Sequence, residues 1–293
     1  MLTDVQSIIM GLLQGISELF PVSSLGHSVL FPSLFGWHSL EQAQFNPESF
    51  ILAFLVGLHV APATALVIFC RQEWAKIVLG FFSSLRKRRA ETPEEHLAWL
   101  LIVATIPAGI MGLLFEHMFR TLFSKPVAAA LFIVANGLVL LVGEQLRNHP
   151  VPEAREDFSL TATSQNLNRI RYRDAGLIGA SQVFALFAGI SRSGITMVGG
   201  LLRRLDHEDA ARFSFLLATL IILAAGVYKI PDLIGPNGNG VGGQILAGSL
   251  VAGIAAYLSV RFLYRYFQNR RLVPFAIYCI LFGSVMLVKL IFF

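Results

Sequence analysis

Long apolar runs alternate with short polar ones along this chain. Six of the runs are essentially unbroken: Ser49–Cys70, Leu97–Phe115, Pro126–Gly143, Phe213–Lys229, Gln244–Leu263 and Val273–Phe293. Each approaches the ~20 apolar residues a helix needs to cross a bilayer, so the pattern predicts six transmembrane helices. Two further apolar segments, 5–36 and 174–202, are interrupted by Gly, Pro and Ser. Unwound backbone cannot face lipid, because its polar groups would go unpaired, so such breaks belong in a buried or water-lined setting. A re-entrant helix–loop–helix hairpin is predicted for each.

The two breaks are copies of one another. A shift of 168 positions lays Gly11 on Gly179, Gln14 on Gln182, Ser23 on Ser191 and Gly26 on Gly194. One copy carries an acid and a histidine, Glu18 and His27, and the other carries Arg192. That distribution points to a single composite site. A weaker echo, Ala108-Gly109-Ile110 and Ala252-Gly253-Ile254, falls in the second full span of each half.

Composition agrees with the membrane reading. Of 293 residues, 55% are hydrophobic, only 14% are charged and 24 are Phe, with a mean hydropathy of +0.66. Those values exclude an ordinary soluble domain. The net charge of +5 is no sign of nucleic acid, since the basic residues sit in short loops where insertion topology explains them. The first apolar stretch ends without a cleavage site and carries Asp4, so no signal peptide is expected. Cys70 and Cys279 have no metal-type spacing and are expected to pack in the interior.

Lys and Arg also set the topology. Loops 71–96, 145–174, 203–212 and 264–272 hold 17 of them, while 1–48, 116–125 and 229–243 hold 3. The first set is expected to face the cytoplasm. The first hairpin then enters from the outer face and the second from the cytoplasmic face. The expected architecture is an all-α polytopic membrane protein with an inverted-topology repeat: a first repeat at 1–144, a cytoplasmic linker at 145–173 and a second repeat at 174–293. Repeats of this kind place a site near the midplane, between broken helices.

Several side chains there can carry chemistry. Gln14 and Glu18 are four apart, on one face of a helix, and a carboxylate at membrane depth needs a partner, water or a metal ion. Oxygen ligands would suit Mg²⁺ or Ca²⁺. Ser23, Ser24 and His27 follow in one loop and helix start, and the Ser24–His27 spacing could bring an imidazole to a hydroxyl, as in activated nucleophiles. Arg192, flanked by Ser191, Ser193 and Gly194 and followed by Thr196, offers a planar fork for phosphate beside helix-start N–H groups. The alternative for Arg192 is an ion pair with Glu18, which would still place both in one site. His59 lies mid-span and could reach the same interior or simply pack there.

These motifs resemble those of the undecaprenyl-diphosphatase (bacitracin-resistance) family. Gln14 to His27 is similar to its (E/Q)xxxE and PxSSxGH elements, and Ala188 to Thr196 to its PGxSRSxxT element. The resemblance implies a bacterial plasma-membrane phosphatase that takes a C55 polyprenyl diphosphate to the monophosphate and uses Mg²⁺ or Ca²⁺. Carried over by position, Glu18 is the essential acid, Ser24 and His27 the catalytic pair, and Arg192 the diphosphate clamp. Ser23, Ser191, Ser193, Gly194 and Thr196 are expected to bind substrate, with Glu18 and Gln14 as the expected metal ligands. Gln14 stands where many members have Glu, which leaves a metal site one charge short, and Ala188 replaces a usual Pro. The nucleophile stays open between Ser24, His27 and a His27-activated water. Expected partners are the lipid substrate, membrane lipids and a second copy of the chain, with no nucleic acid, and the site is expected to open to the outer face. A polyprenyl-phosphate flippase or anion transporter is the competing reading, because alternating-access carriers share this construction.

Overall fold

The computed structural model describes residues 2–44, 50–115, 125–147, 170–228 and 242–292. All the regular structure among them is helical: α1 (Asp4–Ser17), α2 (Ser24–Phe35), α3 (His38–Gln44), α4 (Phe50–Phe69), α5 (Arg71–Lys87), α6 (Pro93–Leu114), α7 (Pro126–Leu146), α8 (Tyr172–Ser181), a 3₁₀ turn (Gln182–Leu186), α9 (Arg192–Leu202), α10 (His207–Tyr228), α11 (Gly242–Asn269) and α12 (Val273–Phe292). Five helices are long and apolar enough to cross a bilayer, and six if the bent α4–α5 pair is one span. The chain is therefore an all-α, multi-pass membrane protein, with helices close to the six stretches read from hydropathy. Most of the linker expected at 145–173 lies outside the described residues.

The spans follow from sequence in a simple way. Thr92 caps α6 with its side chain and Glu95 returns the bond to the Thr92 backbone, while Pro93 starts the helix where no N–H is needed. The outer faces of α6, α11 and α12 present Ile110, Leu113, Leu250, Ile254, Leu281 and Val285, as helices bathed in lipid must. α10 is the most enclosed span, two-thirds buried, and packs against α4, α6, α9 and α11.

The four hairpin arms differ in kind. The α-helices α1, α2, α8 and α9 hold 14, 12, 10 and 11 residues, too short at 1.5 Å per residue to span about 30 Å. Each first arm instead docks on a full span through glycine. A Cβ on Gly11 would fall 2.2 Å from the Gly248 carbonyl of α11, and one on Gly179 would fall 2.1 Å from the Ala104 carbonyl of α6. Gly11 and Gly179 are the 168-shifted mates, so the same backbone-to-backbone approach occurs in both halves.

One expectation needs correction. Residues 71–96 do not form a plain loop: Arg71–Lys87 is helical and leaves α4 at an angle of 87°. Its buried positions, Glu73, Ile77 and Ser84, are spaced for a helix but are not a bulky apolar stripe, so hydropathy alone does not reveal it.

Candidate active site

The polar centre starts where α1 stops. Glu18 is its C-cap residue, and four residues earlier Gln14 donates from Nε2 to Glu18 Oε2 at 2.8 Å. Ser24 opens α2, and its hydroxyl donates to the same oxygen at 2.5 Å. His59 of α4 brings Nε2 to 3.8 Å from it. Glu18 is 7% exposed, so an isolated charge would be costly there and this set of donors is what makes it tolerable.

The second hairpin supplies the cation. Arg192 is the first residue of α9, and its Nη2 donates to Glu18 Oε1 at 2.9 Å. Two atoms of the cluster are left over: Arg192 Nη1, a donor, and Gln14 Oε1, an acceptor, are both buried without a hydrogen-bond partner. Buried polar atoms are almost always paired. A leftover donor and acceptor beside a nucleophile-type hydroxyl mark a place where a polar ligand completes the bonding.

The two hairpin tips are stitched together by their own N-caps. Ser23 has φ 73°, rare for a residue with a Cβ, and its hydroxyl accepts from Gly26 N and from Gly189 N across the interface, both at 3.2 Å. Gly189 has φ 116°, and a Cβ there would meet the Ala129 carbonyl at 2.5 Å, so only glycine lets the second tip come this close. Ser191, the mate of Ser23, accepts from Gly194 N at 3.1 Å. Ser193 donates to the Phe20 carbonyl at 3.1 Å. Thr196 lies within 2.6 Å of Ser214 and donates back to the Arg192 carbonyl at 2.8 Å.

Expectation and geometry part at particular residues. Gln14, Glu18, Ser24 and Arg192 come together. Ser23, Ser191, Ser193, Gly194 and Thr196 surround them, but the four hydroxyls and the Gly194 N–H are spent on backbone and neighbouring groups that hold the tips. The Ser24–His27 pair does not form. His27 Nδ1 lies 2.6 Å from its own Ser23 carbonyl, four residues back, and Nε2 lies 2.8 Å from the Tyr278 hydroxyl. Its ring stacks on Phe282 and Tyr278 with centroids 4.7 and 5.7 Å away. A spacing of three on a helix leaves a side chain free to turn outward, and α12 captures this one.

The sequence reading missed two residues. Asn136 of α7 donates to the Pro21 carbonyl at 3.0 Å and accepts from Ser191 N at 2.9 Å, so one amide spans both tips. Tyr278 is the other, and its signal was only an aromatic in an apolar span. An Asn at mid-span, next to Gly137, is the available hint for the first.

With this geometry in place, comparison with known proteins is informative. The model of the family described as bacitracin resistance protein BacA matches residues 7–285. The chain belongs to the BacA family. Among its relatives, a protein of Mycolicibacterium paratuberculosis named undecaprenyl-diphosphatase is 54% identical over 99% of this chain and 98% of its own. Undecaprenyl-diphosphatase 2 of Frankia alni is 51% identical over 98% of both chains.

The metal site expected for this BacA-family chain rests on a small donor set. Among the described residues no group of three His, Cys, Asp or Glu side chains could hold an ion. The cluster offers Gln14 Oε1, which has no partner, and the Glu18 carboxylate, which has several. That fits a Mg²⁺-type ion, which uses one or two protein oxygens and takes the remainder from water and substrate phosphates. It does not fit a closed, all-protein cage.

Proposed function

We infer that this chain is an integral-membrane phosphatase that hydrolyses undecaprenyl diphosphate to undecaprenyl monophosphate and inorganic phosphate. Family membership and the names of the full-length relatives support the activity. The observation that carries the reading at atomic level is the Ser24 hydroxyl held on Glu18, with Arg192 bound to the other carboxylate oxygen and keeping one buried N–H free.

The chemistry then runs through residues in contact. Glu18 accepts the Ser24 proton as Ser24 Oγ attacks the terminal phosphorus. The bridging P–O bond breaks, and its electron pair leaves on the polyprenyl monophosphate. Water then attacks the Ser24-bound phosphorus, the Oγ–P bond breaks as Oγ takes its proton back from Glu18, and both water protons leave with the inorganic phosphate. Arg192 exchanges part of its bond with Glu18 for phosphate oxygens, and its planar fork counters the charge that develops on them. Phosphoryl transfer asks little covalent work of a protein, so positioning and charge carry most of the rate.

Ser23, Ser191, Ser193, Gly194 and Thr196 act here by holding Ser24 and Arg192 at their helix starts, whose N–H groups favour an anion. His27 fixes the first tip through the Ser23 carbonyl. A Mg²⁺ or Ca²⁺ ion, where used, would be held by Gln14 and Glu18, and it would supply charge neutralisation of the diphosphate. The site opens to the outer face in this reading, because residues 1–48, which carry Glu18, hold no Lys or Arg, while 71–96, on the far side of the next span, hold six. The test is phosphate release from a polyprenyl diphosphate by purified protein in detergent, compared with Arg192→Ala and Ser24→Ala.

A further inference from the structure

The amphipathic helix α5 and the cavity at its end form a second feature, unconnected with the Glu18–Arg192 centre. α5 has three faces. Glu73, Ile77 and Ser84 are buried against the protein. Val78, Leu79, Phe82 and Leu85 form an exposed apolar arc, Leu79 at 70% and Phe82 at 63%. Gln72, Lys76 and Lys87 lie on a polar flank. A helix bent 87° from a span, with one arc apolar and basic residues along and beyond it, is suited to lie in the plane of the lipid–water interface.

At the C-terminus of α5 the chain reverses through Arg88, which has φ 57° and is capped by its N–H donating to the Ser84 carbonyl. Arg89 N donates to the same carbonyl at 3.2 Å. Glycine is the usual residue at such a left-handed cap. An arginine there keeps a charge where glycine would serve the turn better.

The reversal lines an open-sided surface cavity of about 480 Å³ with Ser84, Leu85, Arg88, Arg89, Trp99 and Tyr172. The Trp99 indole N–H is fixed by Ser84 Oγ at 2.9 Å, and Tyr172 leans edge-on to His96 with centroids 4.9 Å apart. Nearby Lys87 is paired with Glu91 and Glu95. Arg88 and Arg89 have no ion pair among the described residues. Two guanidinium groups with no ion pair among the described residues, walls of Trp and Tyr, and an apolar arc running away along α5 together match one ligand: a negatively charged headgroup with acyl chains attached.

We propose that the Arg88–Arg89–Trp99–Tyr172 cavity binds the headgroup of an anionic glycerophospholipid, with its acyl chains lying along the apolar arc of α5. The site lies apart from the proposed phosphatase centre and does not depend on that activity. Trp and Tyr sit at interfaces of this kind because one edge is wet and the rest is apolar.

The test uses the full-length protein in neutral detergent, with added phosphatidylglycerol or phosphatidylcholine, and reads both the thermal midpoint and lipid retained in native mass spectrometry. Phosphatidylglycerol should raise the wild-type midpoint by several degrees and remain bound, while phosphatidylcholine does neither. Each basic charge is worth about fivefold at an anionic surface, so R88Q/R89Q should weaken retention by about 25-fold. The midpoint of that variant in phosphatidylcholine should equal the wild-type value, which shows that it folds. Leu79→Ser should lower retention with both arginines in place. Equal stabilisation by the two lipids, or undiminished retention in R88Q/R89Q, would overturn the proposal. So would an equal effect of inorganic phosphate or glycerol phosphate alone, since the ligand would then be the free anion and not the lipid.

Discussion

The carboxylate of Glu18 and the guanidinium of Arg192, 174 positions apart in the chain, lie 2.9 Å from each other where two hairpin tips meet. The pair closes a buried cluster in which Ser24, Gln14 and His59 crowd the other carboxylate oxygen. Because each tip belongs to a different half of the sequence, the site exists only when both halves are folded together.

Removing the cation should be severe. Arg192→Ala leaves Glu18 without its counter-charge and, in the proposed mechanism, the diphosphate without its clamp, so turnover should fall by about 10²–10³-fold. Arg192→Lys restores charge without the fork and should recover only part of this. Phosphate release under saturating substrate measures both.

Ser24 and Glu18 should behave as one unit. Ser24→Ala and Glu18→Gln should each reduce phosphate release to near background, and the double variant should be no worse than either alone, as coupled catalytic groups behave. Additive losses in that cycle would assign the two residues to separate steps.

Asn136 tests the importance of tip geometry. Asn136→Ala leaves the buried Ser191 N–H unpaired and the Pro21 carbonyl with only the Cys279 thiol at 3.9 Å, which should cost about 1–3 kcal/mol of stability. A small shift of Ser191 and Pro21 also misplaces their neighbours Arg192 and Ser24, and the turnover rate should fall by up to about 100-fold. The substrate concentration for half-saturation should change far less.

The glycine contacts give a prediction about stability alone. Gly179→Ala would put a methyl 2.1 Å from the Ala104 carbonyl, whereas Gly109 has open space around its Cβ position. Gly179→Ala should lower the thermal midpoint in detergent, by an overpacking cost of about 1–3 kcal/mol or more. Gly109→Ala should leave it unchanged or slightly raised.

Much of this arrangement was legible in the sequence, and the reasons differ by element. Lipid imposes length and apolarity on a span, so α6, α7 and α12 could be read from hydropathy almost to their ends. The 168-residue echo by itself points Glu18 and Arg192 to one site, and their side chains meet there. Spacing could not say which way an imidazole turns, so His27 was paired with Ser24 although its ring nitrogens lie against Ser23 and Tyr278. Asn136 was invisible because one polar residue in an apolar helix bonds its own backbone as readily as a distant loop. α5 was read as loop because its buried face is built of Glu73, Ile77 and Ser84 and not of large apolar side chains.

An ion at Gln14 and Glu18, as proposed above, carries its own prediction. Chelation should slow turnover and Mg²⁺ or Ca²⁺ should restore it. Gln14→Glu, which adds a second carboxylate, should lower the metal concentration needed for half-maximal rate. Activity indifferent to chelation would remove the ion from the mechanism.

The most direct test of the central claim is single-turnover phosphate release from undecaprenyl diphosphate by purified protein in detergent, with no gradient present. Wild type should release one inorganic phosphate per lipid, and Arg192→Ala and Glu18→Gln, each shown to be folded by its thermal transition, should release almost none. Undiminished release by either variant would contradict a site built from the two hairpin tips.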